Sequence, residues 1–376
     1  MKNYKRFFVL LLTSVSVLSS AINEVPSKLE LQNVNIVFRH GDRTPEKFRG
    51  ETYPTDPNIN NTFYPMGYGG LTNSGKFRAY SLGKFLREKY GKFLGSTYLP
   101  EDIMARSTNF DRTKLSLLLV LAALYPPDSI QKWHPTLDWQ PVAINYENWN
   151  QDFLLMPTGC RRFKAMETEI RKLPEVIKKS LEFTQVWKRL SILSGKNITH
   201  CKSAYNLYNT FIAEKSMNLS IPQWAEDLLA NGELDASVAF HIQMKNYNET
   251  LRKFNGGRLL RKMTNDMISR INGSLKNGKK LNIYSAHDIN VIAHLLTLGV
   301  GKAHQPFFTS AVILELYRDY EQNYYVQLLY YKGDSQKTEK LKIPNCTLNF
   351  DGMCEFNEYL DLINTVTPNS EEILCT

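Results

Sequence analysis

A short apolar run that stops against a block of charge constrains this chain more than any other feature. Val34-Asn35-Ile36-Val37-Phe38 leads straight into Arg39-His40-Gly41-Asp42-Arg43-Thr44-Pro45. A run of that length ended by a glycine turn reads as a buried strand. In an open α/β sheet, ligands bind in the crevice beyond the strands' carboxyl ends. The residues standing there suit an anion. Arg39 and Arg43 offer permanently charged planar forks that fit phosphate oxygens. His40, between them, stays neutral at mildly acidic pH because cationic neighbours lower its pKa. A neutral imidazole against a clamped phosphate is a nucleophile aimed at phosphorus, and Gly41 lets the backbone come close to the anion. For an arginine–histidine pair taken alone, a solvated basic turn is the alternative.

Two later stretches repeat the pattern. Ile103-Met104-Ala105 ends at Arg106-Ser107-Thr108, and Asp111 then opens an apolar helix that runs to Leu124. Asp111 and Arg112 read as a helix cap and its ion-pair partner. Leu281-Asn282-Ile283-Tyr284-Ser285-Ala286 ends at His287-Asp288, followed by a helix over about 288–298. His134, His200, His241, His294 and His304 lack such placement. A loop over 51–70, rich in Pro, Asn, Gly and Tyr, gives way to a helix capped by Thr72 or Asn73, with one apolar face for a sheet. From Arg161 to about Lys276 the spacing is helical throughout, with helices expected at 162–173, 174–193, 203–217, 222–229 and 238–254. A hairpin over 311–318 and 324–332 and a helix near 355–366 close the chain.

The first 21 residues are of another kind. Lys2, Lys5 and Arg6 precede an apolar run and then Ser19-Ser20-Ala21, the layout of a secretory signal peptide; an uncleaved anchor is the alternative, although the run is short for a span. Its removal takes away three cations and no acid, so the formal charge falls from +9 to +6. That surplus is scattered, which argues against nucleic acid as a partner and leaves only a weak preference for anions. No second stretch is long and apolar enough to span a membrane, and the end of the chain lacks a lipid-anchor tail. Secretion places the five cysteines in an oxidising compartment, where most should pair and one is left over. Sequons stand at Asn60, Asn197, Asn218, Asn248, Asn272 and Asn345, so glycosylation is expected at some of them. No His/Asp/Glu cluster has metal-ligand spacing, and neither a metal nor another cofactor is expected.

The R-H-G-x-R-x-P string after a strand, followed by R-S-T-x-x-D-R-T and then by His-Asp after another strand, resembles the histidine acid phosphatase family. The resemblance runs from about Leu29 to Cys375 and is particularly to the secreted acid phosphatases of insect venoms, which look like the mammalian prostatic and lysosomal enzymes. It implies an α/β core with a mixed, mostly parallel sheet flanked by helices, of the phosphoglycerate-mutase-like kind. The core would occupy about 29–157 and 277–376, with an inserted helical cap at about 158–276. It implies hydrolysis of phosphate monoesters through a phosphohistidine. His40 would be the nucleophile and Asp288 the proton donor, with Arg39, Arg43, Arg106 and His287 binding phosphate. An acidic optimum follows, because Asp288 must carry a proton to act as an acid. The same resemblance implies pairs Cys160–Cys375 and Cys346–Cys354. It leaves Cys201 free or pairing between chains, because the partner that mammalian members provide is missing near Ser310. A homodimer and a lysosomal rather than extracellular destination stay open. Two other readings are a phosphoglycerate-mutase-like transferase, disfavoured by the leader and by Asp288, and a secreted venom or binding component with incidental phosphatase activity.

Overall fold

The computed structural model describes residues 29–274, 278–349, 351–369 and 375. The leader read at 1–21 lies outside them. The strands are β1 (Leu29–Arg39), β2 (Ile103–Ser107), β3 (Asn145–Tyr146), β4 (Leu281–Ala286), β5 (Ala311–Asp319), β6 (Tyr324–Lys332), β7 (Lys337–Leu341) and β8 (Cys354–Glu355). They form one sheet in the order β3-β2-β4-β1-β5-β6-β7, with β8 beside β6. β3, β2, β4 and β1 are parallel neighbours, β5 runs against β1, and β6 reverses again to share β1's direction. This is the mixed, mostly parallel sheet that the sequence implied.

The helices are α1 (Asn73–Leu94), α2 (Asp111–Leu124), α3 (Arg161–Ile170), α4 (Pro174–Leu181), α5 (Thr184–Ser194), α6 (Cys201–Ser216), α7 (Gln223–Ala230), α8 (Glu233–Met244), α9 (Glu249–Arg252), α10 (Arg258–Ile271), α11 (Asp288–Thr297) and α12 (Phe356–Val366). The side-chain period of two divides β1 between two cores. Val34, Ile36 and Phe38 pack with α1 and α2 on one face, while Val37 joins the larger cluster that holds α10, α11, α12 and the cap. α1 starts where Thr72 accepts a hydrogen bond from the Gly75 amide at 3.0 Å.

Three details of the helical stretch differ from the periodicity. The helix expected over 174–193 is two, because the amides of Glu182 and Phe183 turn to the carbonyls three residues back, a tightening that ends a helix without changing its apolar face. The one expected over 238–254 stops at Met244, and Asn248 caps α9 by accepting from the Leu251 amide at 2.9 Å. α10, grouped with the cap in the sequence, lies on the sheet: Arg270 donates to the Gln32 carbonyl at 3.0 Å. Residues of α3, α6 and α8 face the carboxyl ends of β1 and β4 across one cavity.

Cys160 and Cys375 are paired with Cα atoms 5.3 Å apart, and Cys346 and Cys354 with Cα atoms 5.6 Å apart, the two pairs that the resemblance implied. Cys201 is free and buried in the cap, which removes it from reach of another chain. All six sequon asparagines are exposed. Among the described residues no helix is long and apolar enough to cross a membrane.

Candidate active site

Parallel pairing of β1 with β4 sets Phe38 beside Ser285 and Arg39 beside Ala286. The residues that follow, His40 from one strand and His287-Asp288 from the other, therefore emerge together. The His40 amide donates to the Ala286 carbonyl at 3.0 Å, which locks the two strand ends at one level. They open into a cavity of about 860 Å³ between the sheet and the cap.

His40 is nearly sealed from solvent, with 3% of its surface exposed. Its Nδ1 lies 2.7 Å from the Gly41 carbonyl oxygen and must be the protonated nitrogen, since a carbonyl can only accept. Its Nε2 then carries the lone pair, and it accepts from Nε of Arg112 at 3.2 Å. Burial first, and then the fields of Arg112, His287, Arg39 and Arg43, hold the His40 pKa well below its ordinary value. The ring is therefore a neutral imidazole at mildly acidic pH.

Arg39 is buried, with Nη1 donating to the Pro306 carbonyl at 2.6 Å, its guanidinium 4.0 Å from the Phe308 ring centroid, and Nη2 3.7 Å from Asp288. Arg43 makes a two-pronged bond to Glu51 at 2.5 and 2.8 Å. Arg39 and Arg43 each keep a buried Nε–H without a partner, the kind of orphaned donor that an arriving anion satisfies. His287 caps α11 and places Nε2 3.1 Å from the Thr108 hydroxyl. Burial and then Arg112, Arg49, Arg43 and Arg39 lower its pKa well below the ordinary value.

Asp288 opens α11. Its Oδ2 accepts from the Tyr205 hydroxyl at 2.8 Å and from the Gln305 amide at 2.9 Å, and its Oδ1 from the Ile289 amide at 2.8 Å. Burial alone would raise its pKa; Arg39, the Tyr205 bond and the Ile289 amide outweigh burial and hold it below the ordinary carboxylate value.

The structure brings together Arg39, His40, Arg43, His287 and Asp288, and it leaves Arg106 outside. Arg106 does not line the cavity; its Nη2 instead donates to the fully buried Asp152 at 2.7 Å. Alternation along β2 explains this, because the side chain one residue before the strand's end points away from the side on which Ser107 is buried. The arginine that this segment sends into the cavity is Arg112, read from sequence as a cap's ion-pair partner. α2 has no side-chain cap, and Asp111 is exposed. Arg112 lies in the first turn of α2 and aims back at the strand ends. Burial and then Arg43 lower its pKa to about 10, which still leaves it charged.

Other contributors escaped the sequence. Glu51 and Glu46 come from the aperiodic loop after β1, and Tyr205 from α6 in the cap. Gly41 differs in its role. A Cβ there would stand 2.3 Å from the Gly75 carbonyl oxygen, and one on Gly75 2.2 Å from that of Asp42. The missing side chains let the His40 loop lie on the first turn of α1. Among the described residues no group of three or more His, Cys, Asp or Glu could hold a metal ion.

A family model described as the histidine phosphatase superfamily (branch 2) matches residues 30–331. The chain is 38% identical to the venom acid phosphatase Acph-1 of Apis mellifera, over 96% of this chain and 92% of that protein. It is 32% identical to the prostatic acid phosphatase of Homo sapiens, over 92% of this chain and 88% of that one. Among solved structures, Hafnia alvei phytase in complex with tartrate superposes with a TM-score of 0.67 at 17% identity, covering 91% of this chain and 98% of that one. That last likeness is one of fold.

Proposed function

The chain belongs to the histidine phosphatase superfamily, branch 2, and from that premise we propose that it is an acid phosphatase that hydrolyses phosphate monoesters through a phosphohistidine on His40. Relatives named acid phosphatases, matching over nearly the whole chain, support the reaction class. The observation that carries the mechanism is the fixed tautomer of His40. With Nδ1–H committed to the Gly41 carbonyl, Nε2 keeps a lone pair directed into the cavity among buried arginines.

In the first step the Nε2 lone pair of His40 forms the N–P bond while the bond from phosphorus to the ester oxygen breaks. A proton on Asp288 passes to that oxygen, which leaves as the alcohol. In the second step water gives a proton to Asp288 and bonds to phosphorus, the N–P bond breaks, and phosphate departs with His40 again neutral. Arg39, Arg43, Arg112 and His287 hold the three non-bridging oxygens, where charge has to be stabilised during in-line transfer. Arg112 replaces Arg106 in that set. Asp288 must gain its proton in the complex, and a phosphate on Arg39 supplies the means by cancelling the field that lowers the pKa of the free carboxyl. Secretion through the 1–21 leader is part of the same reading, with the extracellular space or the lysosome as destination. The relatives named venom and lysosomal acid phosphatases support it.

The test is chemical trapping. Wild-type protein quenched with labelled substrate should yield a phosphoenzyme that survives base and is lost in acid, and His40→Ala should yield none while folding normally. A phosphoenzyme stable to acid, or His40→Ala activity within about tenfold of wild type, would sink the assignment.

A further inference from the structure

The cavity has a second cationic end, built by the cap alone. Lys164, Glu167, Thr168 and Arg171, spaced as neighbours on one helical stripe, bring one side of α3 to its wall. Lys245, at the end of α8, and Lys202, in the first turn of α6, reach the same wall. Glu167 is the carboxylate here, and it is shared: it accepts from Arg171 at 2.6 Å and from Lys245 at 3.2 Å. Lys164 and Lys202, both exposed, add two charges that Glu167 does not match. The carboxylates of the inner end are committed elsewhere, Glu51 to Arg43, Glu46 to Arg112 and Arg49, and Asp288 to Arg39.

Four cations around one carboxylate repel one another, and a concave wall focuses their field. The crowding is felt: burial first, with Arg171 and Lys202 adding to it, lowers the pKa of Lys245 even though Glu167 is bonded to it. Such a cluster gains most from a ligand of opposite sign. α6 sets the distance, because Tyr205 on the same helix donates to Asp288 and Lys202 lies three residues earlier, about 4.5 Å along the axis.

We propose that this end of the cavity is a second phosphate site, so that the preferred substrate carries one phosphate on His40 and another phosphate at its far end, on Lys164, Arg171, Lys202 and Lys245. The inference rests on the phosphatase reading above and names the substrate class for it. The surplus of charge favours a dianion over a carboxylate.

Calorimetry decides the matter without turnover. Alkane-1,n-diyl bisphosphonates of two to six carbons, which cannot be hydrolysed, are titrated into the whole protein at constant ionic strength. Monophosphonates and ω-phosphonocarboxylates of matched length are titrated beside them. At one chain length the bisphosphonate should bind about tenfold or more tighter than the monophosphonate, with the carboxylate gaining less. The double substitution Lys164→Ala/Lys202→Ala, on exposed positions and checked by circular dichroism, should erase that advantage. A twofold or smaller advantage at every length, an advantage that survives the double substitution, or a carboxylate equal to the phosphonate overturns the proposal. If the protein released phosphate from no monoester, the reaction proposed above would fall, while the titrations would still decide whether this second site exists.

Discussion

Nε of Arg112 donates to Nε2 of His40 across 3.2 Å. On the mechanism proposed above, the bond occupies the lone pair that attack would require, so Arg112 would have to release it when phosphate arrives and turn its donors to a phosphoryl oxygen. One guanidinium thus holds the resting imidazole in place and, on that mechanism, would later stabilise the charge that the attack creates.

This gives unequal expectations for two arginines. Arg112→Ala should lower kcat/KM about 10²–10³-fold, the cost of losing one preorganised donor to a transition-state oxyanion, with a modest effect on melting. Arg106→Ala should do the reverse. It strands the fully buried Asp152 carboxylate, which also holds the Leu155 amide at 3.1 Å, so stability should fall by about 3–5 kcal/mol. Steady-state kinetics and chemical denaturation measure both. An Arg106→Ala protein with native stability and a catalytic loss as large as that of Arg112→Ala would restore the assignment read from the sequence.

Gly75 should not tolerate a methyl group. Alanine is favoured over glycine inside a helix by about 1 kcal/mol, but here its Cβ would meet the backbone of Asp42. Gly75→Ala should therefore destabilise the protein by about 1–3 kcal/mol, and kcat should fall as the His40 loop shifts. A variant that melts higher than wild type with unchanged kcat would mean that this loop is free to move.

How far the sequence revealed the site follows from how each residue arrives there. Arg39, His40, His287 and Asp288 were legible because each stands directly after an apolar run, and strand ends in such a sheet converge on one crevice. The same reasoning brought Arg106 to the site, but a strand end fixes position while the pleat fixes direction, and one residue of offset turns this side chain to Asp152. Arg112 carried a usable sign, an arginine in the first turn of the helix that follows a strand's carboxyl end. Tyr205 carried none: an aromatic residue on an amphipathic helix looks like core, and only the approach of α6 to the start of α11 brings its hydroxyl to Asp288. Glu51 lies in a loop without periodicity, and nothing local foretells that it will meet Arg43.

Stability should depend on pH through Glu214, which is fully buried in α6. Burial, and then the nearby Asp56 carboxylate, raise its pKa. The folded chain thus holds a proton that the unfolded chain gives up above about pH 4.3, so this contribution is complete at low pH and is lost as pH rises. Buried neutral His40, His287 and His294 have the opposite sign, losing stability as pH falls below the ordinary histidine range. The comparison with Glu214→Gln isolates the first effect. The variant should melt higher than wild type at pH 8, with the gap closing toward pH 5; a gap that stayed constant across that range would refute the assignment.

The sharpest prediction concerns Asp288. An aryl phosphate expels a stable phenolate that hardly needs a proton, whereas an alkyl phosphate expels a poor alkoxide that does. If Asp288 supplies the proton, Asp288→Asn should slow alkyl phosphate turnover far more than aryl, by a margin within the roughly 10²–10⁴-fold that general acids contribute. The pH profiles add a second, independent sign. In the free protein Asp288 lies below the ordinary carboxylate range, and on the proposed mechanism phosphate on Arg39 would lift it. The loss of activity with rising pH should therefore occur at lower pH in kcat/KM, which reports the free enzyme, than in kcat, which reports the complex. In the Asn variant the limb in kcat for an alkyl substrate should disappear, because no proton is left to lose. Folding is not the explanation, since His287 and not Asp288 caps α11 and an asparagine carbonyl can still accept from the Ile289 amide. A purely positioning role predicts something else: alkyl and aryl substrates would fall by the same factor and the pH limb would persist. That pair of results would remove Asp288 as the proton donor and leave it as the group that orients Arg39 and Tyr205.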